Sequence, residues 1–149
     1  MFLLHYLFAC SESTPNVISK NELPILEAPV YNRAKGRHIL IAYQNSWRSE
    51  TLRSKKDAIK KATQIQNWAL DGYDFGQLAS KYSDDPTSMK KGYLGVIQRG
   101  DMLAEFENAL FSLDYNQISG IVETGFGYHI IQRLPLQEAE LYHVLVQWD

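Results

Sequence analysis

The stretch from Gly92 to Phe106 constrains the fold more than any other part of the sequence. It begins with a short apolar run between glycines, which predicts a buried strand. Arg99-Gly100 then marks a turn, and Asp101 is placed to cap a helix by accepting hydrogen bonds from its first amides. The helix is expected to face a core through one apolar stripe, which consists of Phe106, Ala109, Leu110 and Leu113.

Four apolar side chains are predicted to meet where this strand ends and the helix begins. They are Leu94, Ile97, Met102 and Phe106. Because none of the four is ionisable, the pocket that they line is expected to bind a compact apolar group rather than a charged metabolite.

Length and charge limit the classes of protein to which the chain can belong. Its 149 residues are enough for one domain with a sizeable core, or one domain and a tail. The formal net charge of -2 does not indicate a nucleic-acid-binding surface, and we therefore predict no nucleic-acid partner. A single cysteine, Cys10, excludes an internal disulfide framework and a cysteine-built zinc site.

The first ten residues form the longest apolar run, about half the length that spans a bilayer. We therefore predict no transmembrane helix. Residues 1–10 resemble a bacterial lipoprotein signal in which Cys10 becomes the lipidated first residue, although no Lys or Arg precedes the run and Phe8 is bulky for its position. The alternatives are an ordinary buried segment and the start of a fragment. Residues 11–35 contain three prolines without sustained periodicity, which predicts an extended linker.

The rest of the chain predicts an α+β fold with a mixed or antiparallel sheet. The expected elements are a central strand at Arg37–Tyr43, a helix capped at Ser54 with the stripe Ala58, Ala62, Ile65 and Ala69, a helix at 74–82, a helical turn at Pro86, and a hairpin of strands 118–123 and 128–134. Residues 135–149 form a tail. Its segment 139–146 echoes residues 37–41, either by chance or because a second copy of the domain begins there.

Two histidines occupy similar positions, each directly before an aliphatic pair. His38 precedes Ile39-Leu40 and His129 precedes Ile130-Ile131. Taken singly, each is typical of a hydrogen-bonded core histidine. If their strands are neighbours, the imidazoles touch across the sheet and orient a third group, for which Asp85 is the natural candidate. The histidines lack helical i, i+4 spacing and a local carboxylate, so we predict neither a metal site nor, without a phosphate loop or dinucleotide fingerprint, a cofactor.

Four segments, in order along the chain, resemble the parvulin-type peptidyl-prolyl cis/trans isomerases, also called rotamases. They are 38–41, 74–85, 92–95 with 106–111, and 125–131, and together they span about residues 36–134. The resemblance implies a four-stranded, mostly antiparallel sheet surrounded by about four helices in the order β-α-α-α-β-α-β-β. It places the proline site on the concave side of the sheet.

The resemblance also implies roles for individual residues. His38 and His129 match the paired histidines of the family, and Asp85 lies where members carry either cysteine or aspartate. Thr124 lies where a threonine supports the histidine pair. The residues that match the pocket for the proline ring are Leu94, Met102 and Phe106.

Two positions and one loop depart from the family pattern. Leu103 replaces a residue that is often polar, and Phe126 replaces one that is often small, which narrows that rim of the substrate pocket. The loop of residues 44–53 keeps Arg48 and Arg53 but lacks a dense basic cluster. We therefore predict no requirement for phosphoserine before the proline.

The implied function is non-covalent rotation of X–Pro bonds in unfolded or extended polypeptides. Asp85 is expected to act on the rotating carbonyl, a role in which a carboxylate helps only if it is protonated or bridged by hydrogen bonds, and the histidines are expected to position it. The alternative is a non-catalytic chaperone module of the same fold that binds unfolded clients. The predicted location is the bacterial cell envelope, with a possible membrane tether through lipid on Cys10, or alternatively the cytoplasm.

Overall fold

Residues 32–137 are described by a computed structural model. Their elements are β1 (Arg33–Ile41), α1 (Lys55–Leu70), α2 (Phe75–Tyr82), a 3₁₀ helix (Pro86–Lys90), β2 (Tyr93–Gln98), α3 (Ala104–Ser112), β3 (Val122–Thr124) and β4 (Gly127–Leu134). The strands form one antiparallel sheet in the order β2-β1-β4-β3. The predicted α+β fold and order of elements are therefore confirmed. The predicted signal with Cys10, most of the linker and most of the tail lie outside these residues.

The central strand β1 pairs with β2 on one side and β4 on the other. It begins at Arg33, four residues before its predicted start and inside the predicted linker. Ala34 is fully buried and pairs with Ile97 of β2, so the strand is extended here by tertiary pairing. Local β-propensity gives no such indication, since Lys and Gly occupy the next two positions.

The helices lie on both faces of the sheet, as the alternation of side chains along a strand requires. One core joins Ile39 of β1 and Ile130 of β4 to the buried stripes of α1 and α2. The other joins Ala34 and Ile131 to α3, whose predicted stripe is buried through Phe106, Leu110 and Leu113. His38 and His129 alternate with Ile39 and Ile130, so both histidines lie on the α3 face.

Side-chain caps set the start of the first two helices. The Ser54 hydroxyl accepts a hydrogen bond from the Asp57 amide at the start of α1, and the Asp74 carboxylate accepts one from the Gln77 amide at the start of α2. These interactions satisfy amides that have no partner within the helix. The predicted cap at Ser54 and the helical turn at Pro86 are confirmed.

The cap predicted for α3 is wrong. The Asp101 carboxylate instead accepts a hydrogen bond from the Gln98 amide at 2.8 Å and closes the preceding turn. Leu103 is the N-cap residue and makes no side-chain cap bond. The carboxylate of Glu107 reaches back from within α3 and accepts from the amides of Gly100 at 2.7 Å and Met102 at 3.0 Å.

Two predicted strands differ from the observed ones. β2 lies at an edge of the sheet, and Ile97 is its one fully buried side chain, whereas a buried strand was predicted. The strand predicted over 118–123 is reduced to Val122–Thr124. Ser119 explains the difference, because its hydroxyl accepts from the Ile131 amide at 2.9 Å and donates to the Gly120 carbonyl. A side chain thus competes with the strand ladder. No helix in residues 32–137 is both long and apolar enough to cross a membrane.

Candidate active site

A histidine pair lies at the centre of the α3 face of the sheet. The Nδ1 atoms of His38 and His129 are 3.1 Å apart, and the two rings are nearly parallel, at 17°, with centroids 5.3 Å apart. Each side chain is 5% exposed. The predicted contact between the imidazoles across neighbouring strands is therefore confirmed. The contact depends on the register of β1 and β4, in which His129 pairs with Leu40, two residues after His38 on the same strand.

Thr124 lies beside His129, at one end of this pair. Its Oγ1 is 2.8 Å from Nε2 of His129 and accepts a hydrogen bond from the Phe126 amide at 3.1 Å. The residue ends β3, directly before the turn that leads into β4. The threonine that the family resemblance places beside the histidines therefore contacts one of them.

Asp85 lies beside the other histidine of the pair, His38. Its Oδ1 is 3.4 Å from Nε2 of His38, and it accepts hydrogen bonds from the Thr87 hydroxyl at 2.5 Å and the Thr87 amide at 2.8 Å. The facing His38 imidazole, together with the Thr87 donors, holds the pKa of Asp85 well below its usual range. The carboxylate is therefore ionised at neutral pH. This excludes the protonated form that was one of the two expected for its action on a carbonyl.

The proton arrangement of the network follows from its two ends. Burial, with a smaller contribution from His38, lowers the pKa of His129 to about 3, so this ring is neutral at pH 7. The Thr124 oxygen accepts from the Phe126 amide, and we assign its own hydrogen to the contact with His129 Nε2. Thr124 therefore donates to His129, whose Nδ1–H donates to His38.

The last member of the chain is the hydrogen on His38 Nε2. Because Nδ1 of His38 accepts from His129, its hydrogen lies on Nε2 and points toward the Asp85 carboxylate. The 3.4 Å separation from Asp85 Oδ1 is longer than a well-formed hydrogen bond, and Nε2 has no hydrogen-bond partner among the described residues. All donors are thus aligned in one direction, from Thr124 to Asp85.

Phe106 separates this polar network from an apolar surface. Its ring meets both imidazoles edge-on, with centroids 5.6 Å from His38 and 5.3 Å from His129. The adjoining cavity has a volume of about 580 Å³. Its apolar wall consists of Leu94, Met102, Leu103, Phe106 and Phe126. The structure thus brings together Leu94, Met102 and Phe106 as predicted, with Phe126 at the rim.

Two expectations about the cavity are wrong. Ile97 is 2% exposed and packs beneath α3 with Leu110, so it supports the wall without lining it. The cavity is also lined by ionisable groups, including Arg48, Glu50 and Asp85. The pocket predicted from apolar side chains alone is therefore one part of a larger cavity that also has charged groups in its lining.

Sequence reasoning missed the roles of Thr87 and Trp47. Thr87 has a recognisable signal, since Asp85-Pro86-Thr87 combines an N-cap acid with proline at the first helical position. The Trp47 amide donates to the Gly125 carbonyl at 2.8 Å, and its ring meets Phe126 edge-on at 5.3 Å. A Cβ at position 125 would lie 2.6 Å from the indole, so glycine is required for this contact. No sequence pattern indicates that pairing.

No three His, Cys, Asp or Glu side chains in the described part of the chain are clustered as metal ligands would be.

Comparison with known proteins identifies the family. The family model of the PPIC-type PPIASE domain matches residues 25–134. The chain is 36% identical over 105 residues to "Chaperone SurA" of Dechloromonas aromatica, covering 70% of this chain and 23% of that protein. It is 39% identical over 104 residues to "Peptidyl-prolyl cis-trans isomerase ssp-1" of Neurospora crassa, covering 65% of this chain and 57% of that protein.

A solved structure has the same fold. "Peptidyl-prolyl isomerase ESS1" from Candida albicans superposes with a TM-score of 0.67 at 28% identity, covering 70% of this chain and 63% of that one. The curated relatives are longer than the matched segment, which spans between about a quarter and little more than half of their length. From the family match, the fold and the paired histidines beside an apolar cavity, the chain belongs to the PPIC-type, or parvulin-type, peptidyl-prolyl isomerase family.

Proposed function

We propose that this protein accelerates cis/trans rotation of X–Pro bonds in unfolded or extended polypeptides. The observation that carries the proposal is the cavity, in which an apolar wall meets the Thr124–His129–His38–Asp85 network at Phe106. Family membership and the names of the relatives support isomerase activity.

Rotation requires no covalent step. The barrier of about 18–20 kcal/mol arises because C–N conjugation is lost in the twisted imide. Acceleration by about three to five decades requires roughly 4–7 kcal/mol of differential stabilisation. The cavity therefore needs only to bind the twisted form more tightly than either planar form.

The apolar wall is the proposed seat of the proline ring. Leu94, Met102 and Phe106 present hydrocarbon and aromatic surface without a polar atom that would compete for the ring. Placing the ring there removes water from the imide. Water stabilises the charge-separated planar form through hydrogen bonds to the carbonyl oxygen, so its removal lowers the barrier.

The proposed role of Asp85 depends on its ionised state. Conjugation in the planar imide places negative charge on the carbonyl oxygen, and twisting removes that charge. An ionised carboxylate beside this oxygen repels the planar form more than the twisted form, and the repulsion is strong in a site with little water. The Asp85 carboxylate thus favours rotation without donating a proton, in contrast to the initial expectation.

The histidine pair is the proposed support for this carboxylate. With its hydrogen on Nε2, His38 faces Asp85 with a donor, and His129 and Thr124 fix that tautomer from behind. The rings are too deeply buried to move freely. They therefore orient Asp85 and Phe106 and do not exchange protons with the substrate.

We further propose that the protein assists the folding of extracytoplasmic proteins, tethered to the bacterial envelope through lipid on Cys10. The apolar run of residues 1–10 before Cys10 and the relative named as a chaperone support this. Mass spectrometry of the membrane fraction tests it. A diacylglyceryl adduct on Cys10 is expected, whereas unmodified Cys10 in the soluble fraction would contradict the tether and favour a cytoplasmic location.

The isomerase proposal is tested by NMR exchange spectroscopy of a short X–Pro peptide with catalytic amounts of the whole protein. Catalysed exchange is expected, together with competition by a second proline peptide but not by its alanine counterpart. Binding of the peptide without faster exchange would instead indicate the non-catalytic chaperone module. Neither binding nor exchange would contradict both functions.

A further inference from the structure

The segment that carries Asp85 is held against the end of β1. Pairing between β1 and β2 ends at Arg37, and beyond it residues 83–84 occupy the place of the neighbouring strand. The Leu40 amide donates to the Ser83 hydroxyl at 3.0 Å, and the Asp84 amide donates to the Leu40 carbonyl at 2.8 Å. This short side-chain and backbone ladder ends one residue before Asp85.

An ion pair closes the ladder. The Asp84 carboxylate accepts from the Ala42 amide at 2.9 Å and from Arg53 Nη1 at 2.5 Å. Arg53 Nη1 also donates to the Ala42 carbonyl at 2.7 Å. Both the amide and the carbonyl of Ala42 are therefore bonded to the same Arg53–Asp84 pair.

Arg53 also lies at the base of the loop of residues 44–53. Its carbonyl accepts from the Gln44 amide at 2.8 Å, which closes the loop whose residues Trp47 and Arg48 border the cavity. Arg53 itself does not line the cavity. Arg53 thus joins the loop to the segment that carries Asp85, through its carbonyl on the loop and its guanidinium on Asp84.

We propose that the Arg53–Asp84 ion pair positions the Asp85 carboxylate against His38 Nε2, and that it thereby sets the rate of bond rotation rather than the affinity for substrate. This inference rests on the proposed function of the cavity. Oδ2 of Asp84 accepts from both Arg53 and Ala42, and Oδ1 makes a longer contact of 3.5 Å with Arg53. Arg53 and Asp84 are positioning residues.

The charges of the two partners allow positioning to be separated from simple electrostatics. Removing Arg53 deletes a positive charge near Asp85, and removing Asp84 deletes a negative one. If the variants acted only through the electric field, they would change the electrostatic environment of Asp85 and His38 Nε2 in opposite directions. If they act by loss of positioning, both change the contact between Asp85 and His38 Nε2 in the same direction, because either variant releases the ladder.

The test compares Arg53→Ala, Asp84→Ala and a control, Lys55→Ala, in the whole protein. Lys55 forms a 2.6 Å ion pair with Glu123 near the same helix start, but both partners are exposed and neither lines the cavity. Three quantities are measured: kcat and KM for X–Pro exchange, and the ¹⁵N chemical shift of His38 Nε2. Circular dichroism establishes that each variant is folded.

Arg53→Ala and Asp84→Ala are both expected to lower kcat about tenfold with KM unchanged, as small misplacements of a reacting group do. Both should move the Nε2 shift of His38 in the same direction, and Lys55→Ala should change none of the three quantities. Opposite shifts in the two variants, no shift in either, or an equal effect of Lys55→Ala would overturn the proposal. If Asp84→Ala is unfolded, Asp84→Asn replaces it, since the amide oxygen keeps the Ala42 contact, and the same directions are expected.

The His38 shift does not depend on catalysis. If the wild-type protein binds peptide without catalysing exchange, the proposed function fails, while a common shift in both variants still supports the positioning of Asp85.

Discussion

The Nδ1 atoms of His38 and His129 face each other at 3.1 Å, although the residues are 91 positions apart in the chain. Such a contact requires one nitrogen to carry a hydrogen and the other to lack one. The tautomer of each ring therefore fixes that of the other. Thr124 and Asp85 hold the two ends, so a change at either end is transmitted through both rings.

Replacing Thr124 with valine tests the end of this network at His129. Thr124→Val keeps the shape of the side chain but removes the donor to His129 Nε2 and the acceptor for the Phe126 amide. We expect a loss of about 1–2 kcal/mol in the free energy of unfolding and slower X–Pro exchange. Urea titration and exchange NMR measure the two effects. Thr124→Ser, which keeps the hydroxyl, should stay close to wild type, and equal behaviour of the valine and serine variants would contradict the assignment.

The stability of the protein should depend on pH through His129. Burial, and then His38, lower its pKa to about 3 in the folded state, against about 6.5 in an unfolded chain. Below pH 6.5 the unfolded state therefore binds a proton that the folded state excludes. The stabilising effect of a neutral His129 is fully present above that pH and is lost as the pH falls toward 3, by up to about 1.4 kcal/mol per unit.

Urea unfolding between pH 7 and 4.5 measures this dependence. His129→Gln lacks the titrating group, so its free energy of unfolding should decline less across the window than that of the wild type. Parallel declines in the two proteins would show that His129 is not the group responsible.

Asp85 is expected to act through its charge. Asp85→Asn keeps an oxygen that accepts from Thr87 but removes the ionised carboxylate beside the proposed position of the carbonyl. Exchange should slow by about ten- to a hundredfold, the scale for losing one preorganised electrostatic group. Asp101→Asn is the matched control, because Asp101 is an exposed turn residue outside the cavity wall. Full activity in Asp85→Asn would exclude the charge mechanism.

Glu107 should affect substrate affinity. Its buried carboxylate accepts from the amides of Gly100 and Met102, and so holds the loop that carries the Met102 wall of the cavity. Glu107→Ala leaves two amides without this acceptor, and we expect a loss of about 1–3 kcal/mol in the free energy of unfolding. KM should rise with kcat unchanged, whereas Glu107→Gln and the exposed Glu105→Ala should stay close to wild type. A fall in kcat with KM unchanged would contradict this role.

Local signals predict much of the fold. The cap at Ser54, the stripe of α1 and the turn at Pro86 each depend on residues within one or two helical turns, and all three are observed. The start of β1 could not be predicted in this way. Ala34 joins the strand only because Ile97 pairs with it from a distant part of the chain.

The candidate site shows the same division. The sequence predicts that His38 and His129 touch if their strands are neighbours, and the pairing of β1 with β4 meets that condition. The sequence predicts Ile97 in the pocket because the strand that carries it ends close to where the helix with Phe106 begins. Its burial beneath α3 depends on Leu110, which no spacing within the strand indicates. Trp47 was missed because its partner Gly125 is remote in sequence.

The central claim is that the apolar wall and the histidine network together turn over X–Pro bonds, and Phe106 is the residue that joins them. The most direct measurement is the catalysed exchange rate of an X–Pro peptide with wild type, Phe106→Ala and Phe111→Ala. Phe111 is a phenylalanine on the same helix whose ring contacts Arg99 and does not line the cavity. The account predicts catalysis by the wild type and by Phe111→Ala, and its collapse in folded Phe106→Ala. Equal exchange rates for the two folded variants would contradict it.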